Sequence, residues 1–292
     1  VQRFTGEPAS SAVMGNLADD TAVSGGDGRY VATLREDWNI WGPNGGYLAA
    51  VALRAAGAHS SQPRPASLMC HFLGVAAFDD VELEVVTLRA ARRAEAMRVS
   101  MTQGGRPMLE ALVWTVADEL DGLVHDMAVA PGIGGPDDYG SIDDLAPDRP
   151  TFPFWGNIEH RPFEFIEDWD TRPASDPEYL GWLRFRPQAT FDDAYVDAAR
   201  LAILVDTFQW PAATRAYAGG SLAHVAPSLD LACRFHRAAL DQPWLLVHAT
   251  SPVAEGGLVA GTASVFDAAG RLVASGGQQM LCRPMAPTDM PR

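Results

Sequence analysis

A chain of 292 residues has room for one large domain or two ordinary ones, and 47% hydrophobic residues suffice to bury a substantial core. Its net charge of −15 and pI near 4.7 exclude a sequence-independent grip on nucleic acid or anionic lipid, which needs clustered Lys and Arg. They leave room for a phosphate-bearing small molecule, which one Arg or a helix N-terminus can hold.

Three cysteines, Cys70, Cys233 and Cys282, are too few and too scattered for a disulfide framework or a zinc site. No run approaches the roughly 20 apolar residues that span a bilayer. The start, Val1-Gln2-Arg3-Phe4-Thr5, lacks the charged and apolar regions of a signal peptide. A reduced, cytoplasmic setting is the expectation.

In chain order, Ser24-Gly25-Gly26-Asp27-Gly28 is turn chemistry, and Arg29-Tyr30-Val31-Ala32-Thr33-Leu34 alternates as a half-buried strand. Trp38-Asn39-Ile40-Trp41-Gly42-Pro43 leads into residues 44–57, which open on Asn44-Gly45-Gly46, continue in Ala, Val and Leu, and stop at Gly57. That pattern predicts a buried helix. Period-two alternation over residues 81–89, 96–103 and 108–116 then predicts strands in hairpin order, turning at Gly104-Gly105. One apolar helix followed by such a meander is an α+β unit, an antiparallel sheet wrapped on its helix.

Residues 118–150 are acidic and rich in Gly and Pro, as expected of a solvated linker. Ile133 between Gly132 and Gly134 lacks the strand-before, helix-after context of a nucleotide loop. Near Phe152 the pattern starts again. A strand reads over residues 182–187, a helix over 192–204, and strands over 244–250, 258–266 and 272–281. Ala254-Glu255-Gly256-Gly257 and Asp267-Ala268-Ala269-Gly270 supply hairpin turns.

Residues 206–219, from Asp206 to Gly219, align without a gap on residues 44–57. Leu68-Met69-Cys70-His71-Phe72 recurs as Leu231-Ala232-Cys233-Arg234-Phe235, and Gly105-Arg106 recurs as Gly270-Arg271, at nearly the same offset. A repeat this long, occurring twice, indicates a duplicated domain rather than a solenoid. The expected division is 1–117, a linker over 118–150, and 151–292.

Few residues invite chemistry. Asp206 stands between Leu201-Ala202-Ile203-Leu204-Val205 and Phe208, where a carboxylate is costly to bury unless it is bonded or has work to do; a helix cap is the plainer role. Gln278 and Gln279 end a strand after Gly276-Gly277, glycines that could let a ligand approach the backbone, and an exposed edge amide is the plainer alternative. Ser228, taken alone, reads as a turn or strand-start residue. Gly219-Gly220-Ser221-Leu222-Ala223 misses the nucleophile elbow because Ala223 stands where a glycine should. His71 and His236 fall one residue apart in the aligned repeat, on opposite faces, and no His, Asp and Glu set has metal-ligand spacing. Cys70 and Cys233 at matching strand positions fit core packing better than nucleophilic catalysis.

Trp41-Gly42-Pro43-Asn44-Gly45-Gly46-Tyr47-Leu48-Ala49-Ala50 resembles the first long helix of the TesB-like acyl-CoA thioesterases. Ser228-Leu229-Asp230-Leu231-Ala232-Cys233-Arg234-Phe235-His236-Arg237 and residues 270–278 resemble the closing half of the same family. The resemblance runs from about residue 30 to 283 and is weakest in the acidic linker.

It implies a double hotdog, two tandem repeats of a long helix wrapped by an antiparallel sheet. It also implies hydrolysis of an acyl-CoA thioester by activated water, with neither metal nor cofactor, in fatty acid metabolism. Carried over, the water-activating set falls on Asp206, Ser228 (where Thr is commoner) and Gln278. Asn44, an amide at the aligned position, cannot act as a base, so one working site per chain is expected. Asn44, Gly45 and Gly46 at the helix start are expected to bind substrate, their N–H groups facing the developing oxyanion.

Two other readings stand beside this one: a hotdog hydratase on acyl-CoA or acyl-carrier thioesters, and a non-catalytic acyl-CoA binder. Hydratases pair Asp with His, and no His lies near Asp206 in sequence. A pure binder gains little from the three polar residues. The depth of an acyl pocket would depend on how Trp38, Trp41, Phe208 and Trp210 pack. Further pairing of chains, frequent among hotdog proteins, is compatible with the resemblance.

Overall fold

The computed structural model describes residues 15–148, 151–219 and 223–285. The readings of residues 1–5 and of the elbow-like stretch at 220–222 lie outside these residues.

A short helix α1 (Leu17–Asp20) precedes the hairpin β1 (Ser24–Gly26) and β2 (Arg29–Thr33). The long helix α2 (Gly45–His59) follows, then β3 (Arg64–Phe72), β4 (Asp80–Ala91), β5 (Ala94–Gln103) and β6 (Arg106–Val116). The connection carries one turn of helix, α3 (Ile142–Leu145). The second half runs β7 (Ile158–Pro162), β8 (Glu178–Phe185), the long helix α4 (Ala194–Thr207) and a short α5 (Gln209–Thr214). It closes with β9 (His224–Val225), β10 (Asp230–Phe235), β11 (Leu245–Glu255), β12 (Leu258–Asp267), β13 (Leu272–Leu281) and β14 (Arg283–Pro284).

Twelve strands form one antiparallel sheet in the order β1-β2-β4-β5-β6-β3-β10-β13-β12-β11-β8-β7. The order of one half mirrors that of the other, with the seam between β3 and β10. There Leu68 faces Cys233 and Leu231 faces Cys70, so each Leu-x-Cys pairs with its own duplicate. The two long helices lie together inside, each under its half of the sheet. No helix among the described residues is long and apolar enough to cross a membrane.

Each long helix starts at a polar cap. The Asn44 side chain accepts the Tyr47 N–H at 3.0 Å, and Asp193 accepts the N–H groups of Tyr195 and Val196 at 2.7 and 3.3 Å. Beyond the caps both helices are buried nearly all round, as expected of helices enclosed by sheet. They cross antiparallel at close range. A Cβ on Gly46 would lie 2.7 Å from Ile203 Cα, and one on Gly57 would lie 2.6 Å from the Tyr195 ring.

The structure corrects three expectations. Gly57 is not a stop: α2 runs on to His59, and the glycine serves the helix crossing. The central helix of the second half is α4, not residues 206–219. Pro211 has no N–H to give the Thr207 carbonyl, so the helix breaks at Phe208 and restarts as α5. The acidic connection is not solvated throughout. Leu123 and Val124 are 97% exposed, but Ile133 and Tyr139 pack on the outer cluster of Trp182, Leu246 and Phe266, and the Trp182 indole donates to the Gly134 carbonyl at 3.0 Å.

Candidate active site

Where the start of α2 meets the end of α4, the crossing is polar. Asp206, on the last turn of α4, is 6% exposed. Its Oδ2 accepts the Gly46 N–H at 2.7 Å and the Asn44 side-chain amide at 3.3 Å. Its Oδ1 is buried and has no hydrogen-bond partner among the described residues. Gly45 leaves bare main chain beside the carboxylate, where a Cβ would lie 3.3 Å from both oxygens and 3.1 Å from the Phe72 ring.

The same helix supplies a control. Asp197 is equally buried, but its Oδ1 takes two bonds from Arg200, at 2.9 and 2.6 Å, and its Oδ2 takes the Ala239 N–H at 2.8 Å. Asp197 is a saturated structural ion; Asp206 keeps an acceptor in reserve, and a buried unsatisfied oxygen of this kind asks for a chemical reason. Burial pushes the Asp206 carboxyl up to about 6, with the Gly46 N–H and the Asn44 amide opposing the rise. A carboxyl poised there can exchange a proton near neutral pH.

Gln278 and Ser228 reach the same end of α4. The Ser228 hydroxyl donates to Gln278 Oε1 at 2.9 Å, and Gln278 Nε2 donates to the main-chain carbonyl of Asp206 at 3.1 Å. Ser228 sits just before β10, in an isolated bridge with Met280. Gln278 lies within β13 rather than at its end, and is 7% exposed. The neighbouring glycines do not open the backbone to a ligand. A Cβ on Gly276 would lie 2.0 Å from the Ala232 carbonyl and one on Gly277 2.6 Å from that of Gly261, so they serve close strand packing.

The expected sites are thus brought together: Asp206, Ser228 and Gln278 in one bonded chain, with Asn44, Gly45 and Gly46 against the carboxylate. Two relations differ from the expectation. Asn44 is not the duplicate of Asp206. It caps α2 as Asp193 caps α4, and the residues equally far beyond the two caps are Gly57 and Asp206. The second crossing is therefore the mirror of the first, with Gly57 where Asp206 would be and the Tyr195 ring where Gly46 would be. Second, the Gly46 N–H is already given to Asp206, and that of Tyr47 to Asn44, which leaves the Gly45 N–H without a partner among the described residues.

The aromatic residues divide. Trp38 is buried and stacks on Tyr47 at 5.3 Å, Phe208 stacks on Tyr179 at 4.2 Å, and Trp210 packs by Met280. Trp41 stays exposed at φ +64°, edge-on to Phe152 at 5.6 Å. Cys70 and Cys233 are buried, which pushes both thiols up and away from the nucleophilic form. His71 and His236 are both exposed, His236 because it lies past the end of β10, where strand alternation no longer sets its face. The partners of the Asp206 carboxylate are Gly46 and Asn44, neither of them a histidine.

Sequence reasoning missed Phe72 as a wall of the site and Gln209 behind Gln278. Neither carries a local signal, because both contacts arise only when strands and helix ends are packed.

Two family models cover most of the chain. The N-terminal domain of acyl-CoA thioesterase matches residues 34–116, and its C-terminal domain matches residues 136–282. No curated protein matches the chain. Among solved structures, a conserved hot dog fold protein of unknown function from Alicyclobacillus acidocaldarius is 23% identical with a TM-score of 0.78, covering 92% of this chain and 98% of its own. The tesB protein of Mycobacterium avium subspecies paratuberculosis is 23% identical with a TM-score of 0.75, covering 94% and 100%. The acyl-CoA thioesterase II TesB2 of Mycobacterium marinum is 20% identical with a TM-score of 0.74, covering 93% and 99%. At these identities the solved structures establish the fold, and the double hotdog is that fold.

Proposed function

Since the chain belongs to the acyl-CoA thioesterase family and is a thioester hydrolase, we propose that its water-activating set is Asp206, Ser228 and Gln278, acting on an acyl-CoA at the α2–α4 crossing. The observation that carries this assignment is the unpartnered, buried Oδ1 of Asp206 on a carboxyl pushed up to about 6.

In this reading Oδ1 takes a proton from water while the water oxygen bonds to the thioester carbon. Ser228, whose hydroxyl proton is held by Gln278, has oxygen lone pairs left to accept from the same water and fix its line of attack. The carbonyl oxygen gains charge, and the bare Gly45 N–H at the N-terminus of α2 is the donor free to meet it. Collapse of the tetrahedral adduct breaks the carbon–sulfur bond, and the departing thiolate takes the proton from Asp206. The products are a free carboxylic acid and the CoA thiol.

We place the reaction in fatty acid metabolism and in the cytoplasm, a compartment with which three cysteines that form no disulfide agree. Pairing of chains is compatible with Met69, Leu112 and Trp114, which lie exposed on the neighbouring strands β3 and β6.

The test is thiol release followed with a thiol-reactive dye, across acyl-CoAs from acetyl to palmitoyl and one aromatic acyl-CoA. Asp206→Asn should lower turnover by about 10²–10⁴-fold, the usual worth of a general base, with the fold intact. Near-normal turnover in that variant would sink the assignment.

A further inference from the structure

Behind the proposed water-activating set lies a second amide. Gln209 opens α5 just past the end of α4 and is fully buried. Its Nε2 donates to the Val205 carbonyl at 2.7 Å, and its Oε1 accepts the main-chain N–H of Gln278 at 3.1 Å. Val205 immediately precedes Asp206. One side chain therefore joins the main chain beside the carboxylate to the main chain of the residue that carries the amide.

Gly261 of β12 stands opposite Gln278 of β13, and Gln209 Oε1 reaches the Gln278 N–H at that pair. The next N–H along, that of Gln279, goes to the Asp230 carboxylate at 2.9 Å. Two consecutive N–H groups of β13 are thus met by side chains from outside the strand. Gln209 fits against this pair because residue 261 is glycine: a Cβ there would lie 2.3 Å from Gln209 Oε1. The Gln278 side chain crosses back to the Asp206 carbonyl at 3.1 Å, so two amides brace strand and helix end in opposite directions.

We infer that Gln209 is a positioning residue, one that fixes Gln278, and through it Ser228, relative to Asp206. It touches neither water nor thioester. This inference rests on the proposed site.

Gln209→Met keeps length and approximate volume while removing both hydrogen bonds. Gly261→Ala displaces the same amide without altering it, and serves if the first variant folds poorly. Each is to be read by the backbone and side-chain amide resonances of Gln278 in ¹⁵N-labelled protein, and by steady-state thiol release.

The expected result is that the Gln278 resonances shift and its backbone amide exchanges faster, while kcat falls about 10- to 100-fold. KM should stay within about twofold. In a Gln278→Ala background the further loss from Gln209→Met should vanish, since nothing is left to position. A merely structural role would cost the same fold-change in both backgrounds. That outcome, or Gln278 resonances unmoved by both variants, overturns the inference. If the wild-type protein releases no thiol from any acyl-CoA, the proposed function falls instead, and the resonances still decide whether Gln209 holds Gln278.

Discussion

With its carboxyl pushed up to about 6, Asp206 changes charge just below neutrality, and two pH dependences of known sign follow. A base must be ionised to take a proton. Turnover should therefore be flat above about pH 6 to 7 and drop tenfold per unit below it, as a pH profile of kcat would record. Stability runs the other way. The folded value lies above the roughly 3.9 of an unfolded Asp, so the native state holds its proton more tightly, and stability falls as pH rises from about 4 through 6. The gap of about two units corresponds to some 2–3 kcal/mol lost above pH 6. Asp206→Asn, which keeps an oxygen for the Gly46 N–H, escapes that loss. It should be more stable than wild type in urea at pH 8 and no more stable at pH 4, while hydrolysing poorly at both. A variant that gains stability by losing its base would mark Asp206 as strained for function.

Between elements, the two helices approach closely because α2 brings a glycine to each end of the crossing, Gly46 against Ile203 and Gly57 against Tyr195. Gly57→Ala sets two effects against each other. Alanine improves helix propensity by up to about 1 kcal/mol. The new Cβ would lie 2.6 Å from a ring that cannot swing away, since the Tyr195 hydroxyl donates to the Gln62 carbonyl at 2.8 Å. Overpacking of this kind costs about 1–3 kcal/mol and wins, so the variant should melt lower than wild type. Tyr195→Leu should relieve much of that loss if the ring is the obstacle.

This crossing also explains how far the sequence could be read. Both halves, the strand meanders and the repeated Leu-x-Cys were legible because alternation and duplication show in the chain itself, whereas the pairing of the two Leu-x-Cys copies across the seam was not. The alignment of Asn44 with Asp206 was misleading in register and still met a real contact, since the Asn44 amide reaches the Asp206 carboxylate. That bond is a consequence of antiparallel helices, not of equivalence, and nothing local announces the direction in which two buried helices cross. Gln209 was illegible for the same reason, its partners being set by the docking of α5 on β12 and β13.

At the scale of the whole molecule, the halves are not separable bodies. They share a sheet through β3 and β10, and each long helix has the other as a major neighbour. Asp206 of the second half receives the Gly46 N–H and the Asn44 side-chain amide at the start of the first half's helix, so the candidate site itself spans the duplication. Urea unfolding should accordingly show one transition. Tryptophan probes in the first half (Trp38) and the second (Trp182), each introduced into a background with the other tryptophans replaced, should give coincident midpoints. Two separated transitions would contradict the shared core.

Duplication leaves a chain with two copies of one helix crossing, and here they have parted ways. One holds a carboxylate facing a bare main-chain turn; the other holds Gly57 under the Tyr195 ring, a plug where the first has an unpartnered oxygen. The filled crossing is then a fixed bearing, free to be packed for rigidity because no ligand must enter it. Its stoichiometric signature is that a non-hydrolysable acyl-CoA titrated by calorimetry should saturate at a single equivalent per polypeptide, however many chains assemble.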